Sequence, residues 1–360
     1  MKPLILFALL LINTISFGQN FWNKVETLYG ASGSSFAVDT SGIIYFANAD
    51  LFRSSDNGAT WSLMNSPSAN SNGIFCIYEL LFVITNEGVY KSSNYGVSWI
   101  LLFSSTSVYI NEVKLNSIGY IFARVSSRNG IYRSTDSGDT WEHLLGDFAV
   151  VSVCIDSYDN VLCGVMSRGL LKSTNNGKNW NILAFADTSI TSIVINSNLS
   201  IFVCAGNHIL RSTNEGLNWL QADYGIIPVQ KGNLFLKEND FLFAYNIFGV
   251  YRSTNDGNNW ITITNELGEQ SIADFEEASN GNILAGGDGK GIYKSTNDGL
   301  NWTISNSGVN NTYIQSIYSI GNNLVAYMYH SGIYHSSNNG LNWNQTNVNV
   351  GGWSSVEYSC

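Results

Sequence analysis

Ser134-Thr135-Asp136-Ser137-Gly138-Asp139-Thr140-Trp141 is the stretch from which the fold can be read. Ser134 and Asp136 carry short polar side chains that hydrogen-bond backbone groups within a turn. Gly138 permits a positive φ where a side chain would clash. Trp141 is expected to fold back on the hairpin and bury on the order of 150–250 Å². The pattern Ser-x-Asp/Asn-x-Gly-x-(small polar)-Trp recurs at 54–61, 92–99, 134–141, 173–180, 212–219, 253–260, 295–302 and 336–343. Its tryptophans, Trp61, Trp99, Trp141, Trp180, Trp219, Trp260, Trp302 and Trp343, are spaced by 38, 42, 39, 39, 41, 42 and 41 residues. A period near 40 residues marks units that cannot bury their own faces and must stack on neighbours.

Outward from the third copy, VYINEVKLNS alternates as a strand does, and Ile118-Gly119 supplies a turn. YIFARVS is a second strand, Arg128-Asn129-Gly130 a loop, IYRST a third strand, and TWEHLL a fourth after the turn. Four short strands in a meander make one propeller blade. The expected fold is therefore an all-β, single β-propeller of four-stranded antiparallel blades. Eight units imply eight blades, with seven blades and one displaced unit as the alternative. Trp22 in NFWNKV resembles a lone fourth strand and Gly352-Trp353-Ser354 the start of a first strand, a possible closing device.

Only Asp56 and Asp136 keep a carboxylate at the third turn position, whereas six copies have Asn. Asn preserves the acceptor oxygen and loses the charge, so the position forms a turn, and no calcium site is expected there. Ser54, Gly58 and Trp61 with Ser134, Gly138 and Trp141 complete the two full motifs. The residue before each turn serine is Arg53, Lys91, Arg133, Lys172, Arg211, Arg252, Lys294 or His335. These side chains are expected to cover apolar surface with their heads in water, rather than to form a ring of anion sites.

Residues 1–19 read as a cleaved signal peptide: Lys2, an unbroken apolar run from Leu4 to Ile12, and small residues at Ser16-Phe17-Gly18. That run is too short to span a bilayer. The expected mature chain, 20–360, is one propeller, secreted, periplasmic or at the cell surface. A net charge of −10 with no basic cluster argues against nucleic acid and anionic membranes as partners. Cys76, Cys154, Cys163 and Cys204 sit in apolar strand-like runs, and their spacing fits neither a disulfide framework nor a metal site. Cys154 and Cys163 flank a hairpin near Tyr158-Asp159, but a cross-strand bond there would be strained. Cys360 ends the chain, so a propeller cut from a larger cell-surface protein is a further reading.

Ser54–Trp61 and Ser134–Trp141 match in full the Asp-box, or BNR repeat. With the preceding Ile-Tyr-Arg-Ser segments, residues 20–353 resemble Asp-box β-propellers: sialidases, xyloglucanase-type glycoside hydrolases, sortilin-type receptors and photosystem II assembly factors. The resemblance implies the fold more specifically than an activity. A sialidase would need three arginines from separated blades as a carboxylate clamp, plus a Tyr–Glu pair. Outside the residues preceding the turns, this chain has only Arg124, Arg128 and Arg168, in two neighbouring repeats. A xyloglucanase-type site would need facing carboxylates on two propellers, and there is material here for one. Asp39, Asp156 and Asp159 lie in turns between first and second strands and read as turn formers. The four histidines share no ligand spacing, and Gly286 to Gly291 joins two strands without opening a helix.

The expected function is a non-catalytic scaffold that binds a glycan or an extracellular protein, without cofactor or metal, as a monomer. A glycoside hydrolase of sialidase or xyloglucanase type is the alternative. Ligands would meet the loops joining second to third strands and blade to blade. The candidates there are Arg124, Arg128, Arg168, His208, Tyr245, Asp288, Lys290, Tyr327, Tyr329 and His330, aromatics mixed with a few charges.

Overall fold

The computed structural model describes residues 35–48, 50–68, 71–77, 79–104, 110–125, 130–226, 232–246, 249–263, 267, 272–278, 280–287, 291–308, 314–328 and 331–348. The expected leader and the segments around Trp22 and Trp353 lie outside them. The chain is all-β: eight antiparallel sheets, each of four strands consecutive in sequence, arranged as an eight-bladed propeller. Blades 1 to 8 span 35–63, 71–104, 110–145, 150–184, 190–221, 233–262, 272–304 and 314–345. The eight-blade expectation holds, and the seven-blade alternative does not.

One register runs through all eight blades. The turn serine pairs with an apolar residue at or next to the start of the second strand, as in Ile44↔Ser54, Ile121↔Ser134, Ile201↔Ser212 and Leu324↔Ser336. Second strands such as Ile121–Val125 and Val161–Val165 are buried along their whole length. They lie between two neighbouring blades, which explains their continuous apolar runs where alternation would mark a half-exposed strand. First strands of adjacent blades approach one another, so they line the centre of the ring.

Packing follows the seams. Among the described residues eight clusters of buried apolar side chains stand out, and each joins two adjacent blades. Phe75 and Phe82 of blade 2 meet Val113 and Ile121 of blade 3. Leu162 of blade 4 meets Ile193 and Val203 of blade 5. The cluster that closes the ring places Ile44, Phe46 and Trp61 of blade 1 against Val325, Tyr327 and Ile333 of blade 8. There Asn347 clasps the backbone of Trp61: its Oδ1 accepts from Trp61 N and its Nδ2 donates to Trp61 O, both at 2.9 Å. A side-chain amide thus reproduces one rung of a β-ladder between the two ends of the described chain.

The turn motif supplies the other seam element. The serine Oγ accepts from the glycine N–H and donates to the Asp/Asn Oδ1, which also accepts from the backbone two residues past the glycine. Two successive left-handed residues make the bend, Ser137 (φ 58°) and Gly138 (φ 84°) in blade 3, and only Gly is unstrained in the second place. A Cβ on Gly138 would sit 2.5 Å from Phe82 of the preceding blade. The indoles do more than fold back on their own hairpins. Trp99 Nε1 donates to Asn65 O of blade 1 and Trp260 Nε1 to Ala222 O after blade 5, at 2.9 and 2.7 Å.

Arg53 is exposed as expected, but several other cations before the turns differ from expectation. Lys91, Arg133, Arg252 and Lys294 are buried, and the heads of several bond across the seam where water was expected. Lys91 Nζ donates to Ser137 O at 2.9 Å, Arg211 to Asp256 O at 2.7 Å and Lys294 Nζ to Asn339 O at 3.1 Å. Arg133 donates to Asn176 O. In each pair the acceptor is the fourth residue of the next blade's turn. Its carbonyl stays free of turn hydrogen bonds in a left-handed bend, so a long cation from the neighbour satisfies it. Cys76, Cys154, Cys163 and Cys204 are not paired in disulfides with one another. The ladder pairs Cys154 with Leu162 and Cys163 with Val153, so the two thiols face opposite sides of the sheet. Burial pushes the Cys204 thiol up to about 12 and the Cys163 thiol well above its ordinary range.

Candidate functional site

In a meander, turns joining strands one to two and three to four emerge on one face. Turns joining two to three, and links from blade to blade, emerge on the other. On the first face three carboxylates have structural roles. Asp39 Oδ1 accepts from Ser41 N and Ile43 N, and Asp156 Oδ1 from Tyr158 N and Asn160 N. Asp159 reaches to the preceding blade, where its Oδ1 accepts from Ser117 N at 2.8 Å. These three carboxylates are spent on turns and seams.

On the opposite face the sequence-derived candidates separate by environment. Arg124 is buried at the seam of blades 3 and 4. Its Nε donates to Glu112 Oε2 at 3.0 Å, and NH1 lies 3.4 Å from Val150 O. The same Oε2 accepts from Val153 N, and Lys114 Nζ lies 3.6 Å from Oε1. Arg124 thus belongs to a buried ion cluster that ties two blades. Tyr245 and Tyr327 are core residues, packed on Phe275 (centroids 5.0 Å apart) and Phe46 (5.1 Å) at the 6/7 and 8/1 seams. Arg128, Asp288, Lys290, Tyr329 and His330 lie outside the described residues.

Arg168 and His208 are exposed and lie on adjacent blades. Arg168 follows the second strand of blade 4, with its guanidinium 4.4 Å above the Phe148 ring. His208 opens the third strand of blade 5. The link 185–189 stitches their turns together: Ser167 N donates to Ser189 Oγ and Gly206 N to Ser189 O, at 3.0 and 3.1 Å. His208 Nδ1 lies 2.9 Å from Asp223 Oδ2, an oxygen that also accepts from Ile209 N at 3.3 Å. Asp223 is buried, its Oδ1 has no hydrogen-bond partner, and the imidazole is 54% exposed. The neighbouring Tyr224 is 80% exposed. The arrangement is an exposed imidazole hydrogen-bonded to a buried carboxylate, with an exposed tyrosine next to that carboxylate in sequence. Sequence reading placed His208 on this face. The pairing of His208 with Asp223 was missed, because they lie 15 positions apart and meet only through the register of the third and fourth strands.

Among the described residues no group of three or more His, Cys, Asp or Glu side chains could hold a metal ion, and no helix is long and apolar enough to cross a membrane. No protein-family model and no curated protein matches the chain. Solved structures do. An ancestral GH74 enzyme is similar at 18% identity and a TM-score of 0.54, over 88% of this chain and 54% of that one. The chain therefore spans about half the length of that enzyme. YCF48 bound to D1 peptide is similar at 17% identity and a TM-score of 0.53, over 66% of this chain and 82% of that one. A streptogramin B lyase follows at 15% identity and 0.51, over 72% and 92%. At such identities the likeness speaks for the propeller fold alone.

Proposed function

We propose that this is a secreted or cell-surface, non-catalytic Asp-box propeller whose face at blades 4 and 5 binds a glycan or an extracellular protein segment. The observation that carries this reading is the exposure of Arg168, His208 and Tyr224 on the loops of the adjacent blades 4 and 5, where Ser189 ties together the turns that carry the first two. An exposed aromatic ring, an imidazole and a guanidinium on the loops of one face suit either a sugar face or a peptide. YCF48, similar in fold, is recorded with a bound peptide, which is compatible with such a role. Asp39, Asp156 and Asp159 on the other face are engaged in turns and seams, which weighs against their serving as a pair of facing acids of the glycosidase kind.

The test compares the mature chain with an R168A/H208A/Y224A variant, on an array of polysaccharides and sialosides and against secreted proteins. Loss of retention at unchanged Tm supports the reading, and unchanged retention excludes this face. Release of reducing sugar from any polysaccharide would replace the scaffold with a hydrolase.

A further inference from the structure

The eight third strands form an internal series. Blades 1 to 7 place Arg or Lys before the turn serine, and blade 8 places His335. In blades 2, 3, 5 and 7 the cation bonds the fourth residue of the next blade's turn. Lys172 instead approaches the side chain of that residue in blade 5, with Glu215 Oε2 at 3.6 Å. By the same register His335 pairs with Val325 and faces the turn of blade 1. A Cβ built on Gly58 would lie 3.7 Å from its Cδ2. The imidazole lacks the reach of Lys or Arg. Its one hydrogen-bond partner among the described residues is Asn323 Oδ1, 3.4 Å from Nε2. His335 is 9% exposed. This is also the seam at which the first and last blades meet, held by Asn347 across 286 positions.

We propose that His335 makes the closing seam between blades 8 and 1 acid-labile, so that its protonation loosens the ring there while the Lys and Arg seams hold. The physical basis is the placement of a titratable ring where the other blades carry fixed cations. No turn carbonyl bonds the imidazole, and its Nε2–H is given to Asn323 Oδ1, so an added proton goes to Nδ1, which has no hydrogen-bond partner among the described residues on a side chain only 9% exposed. The residues paired with it on its own sheet, Val325 and Asn344, are neutral, as is Asn323. From blade 1 the facing charge is Asp56, already engaged by Thr60 and Ser54. Burial therefore holds the imidazole below its ordinary 6.5, with Asp56 acting weakly the other way. The unfolded chain then binds the extra proton first. Stability present above about pH 6.5 falls away as the pH drops toward the lower folded-state value.

Thermal melts of the full chain, H335Q and H335K from about pH 7.5 to about pH 5 test this. The wild type is expected to lose about 2 °C more in Tm than either variant for each tenfold difference in proton affinity between folded and unfolded His335. Hydrogen exchange, corrected for intrinsic rate, should quicken at 58–63 and 343–348 on acidification and stay level at the seam of blades 4 and 5. Should H335K fail to fold, H335Q still removes the titration and keeps the size. A wild-type pH slope equal to that of H335Q, or acid-enhanced exchange spread evenly over all seams, would overturn the proposal.

Discussion

At the scale of the residue, the turn motif is a closed set of hydrogen bonds around one buried hydroxyl. Ser173 is fully buried; its Oγ accepts from Gly177 N at 2.8 Å and donates to Asn175 Oδ1 at 3.1 Å. Ser173→Ala should cost about 1–3 kcal/mol in urea denaturation, because the glycine N–H is left buried without an acceptor. The glycines divide by surroundings. Gly42 has φ +84° with nothing near a Cβ, whereas Gly138 has the same φ with Phe82 at 2.5 Å. Gly42→Ala should cost about 1–2 kcal/mol from backbone strain alone, and Gly138→Ala about 2–4 kcal/mol, from strain plus overpacking. Asp136 shows why six turns can use Asn. Burial alone would raise its carboxyl, but hydrogen bonds from the Thr140 hydroxyl and backbone and from Ser134 outweigh that and hold it at about 2, below the ordinary 3.8. A depressed carboxyl stabilises above the unfolded value and loses that contribution as pH falls from about 3.8 toward about 2. Asp136→Asn should leave neutral-pH stability nearly unchanged and flatten the acid limb of the Tm–pH curve in that window.

At the scale of the element, each blade is held by what it lends its neighbours. Trp260 Nε1 has two acceptors, Ala222 O at 2.7 Å and Gly257 O at 3.2 Å, while Trp180 Nε1 is buried without a partner. Trp260→Phe should therefore cost about 1–3 kcal/mol more than Trp180→Phe in paired urea titrations. These features mark the limit of what the sequence discloses. The period and the turn chemistry give blades, strands and their order, because both are local. The seam is not local: the partner of Lys91 lies 46 positions on, at Ser137. A reading along the chain sees only a cation between an aromatic and a serine, and assigns its head to water. The candidate site was legible in the same proportion. Loop position identified Arg168 and His208, but Arg124, Tyr245 and Tyr327 end second strands, where one step of the pleat decides between solvent and seam. Burial of both sheet faces removes the alternation that would have told them apart.

At the scale of the whole molecule, the account rests on a ring whose ends meet by face packing and a side-chain clasp. In every blade the four strands are consecutive, so no described strand is shared between the two ends of the chain. Phe36 and Phe46 of blade 1 instead interleave with Tyr318 and Tyr327 of blade 8, at 6.4 and 5.1 Å between centroids. Burial among these rings raises the Tyr318 phenol above its ordinary range, with Glu276 adding to it. Closure with such a long sequence separation gives every seam two neighbours and leaves no terminal blade with an open apolar face. The amide proton of Trp61 reports on this junction alone, since its acceptor is Asn347 Oδ1, 286 residues away. NMR hydrogen exchange of that amide, in the wild type and in Asn347→Ala, is the deciding measurement. A closed ring predicts slow exchange in the wild type and exchange faster by about tenfold in the variant, with amides at the seam of blades 4 and 5 unchanged. Fast exchange at Trp61 in the wild type, or protection indifferent to Asn347, would contradict it.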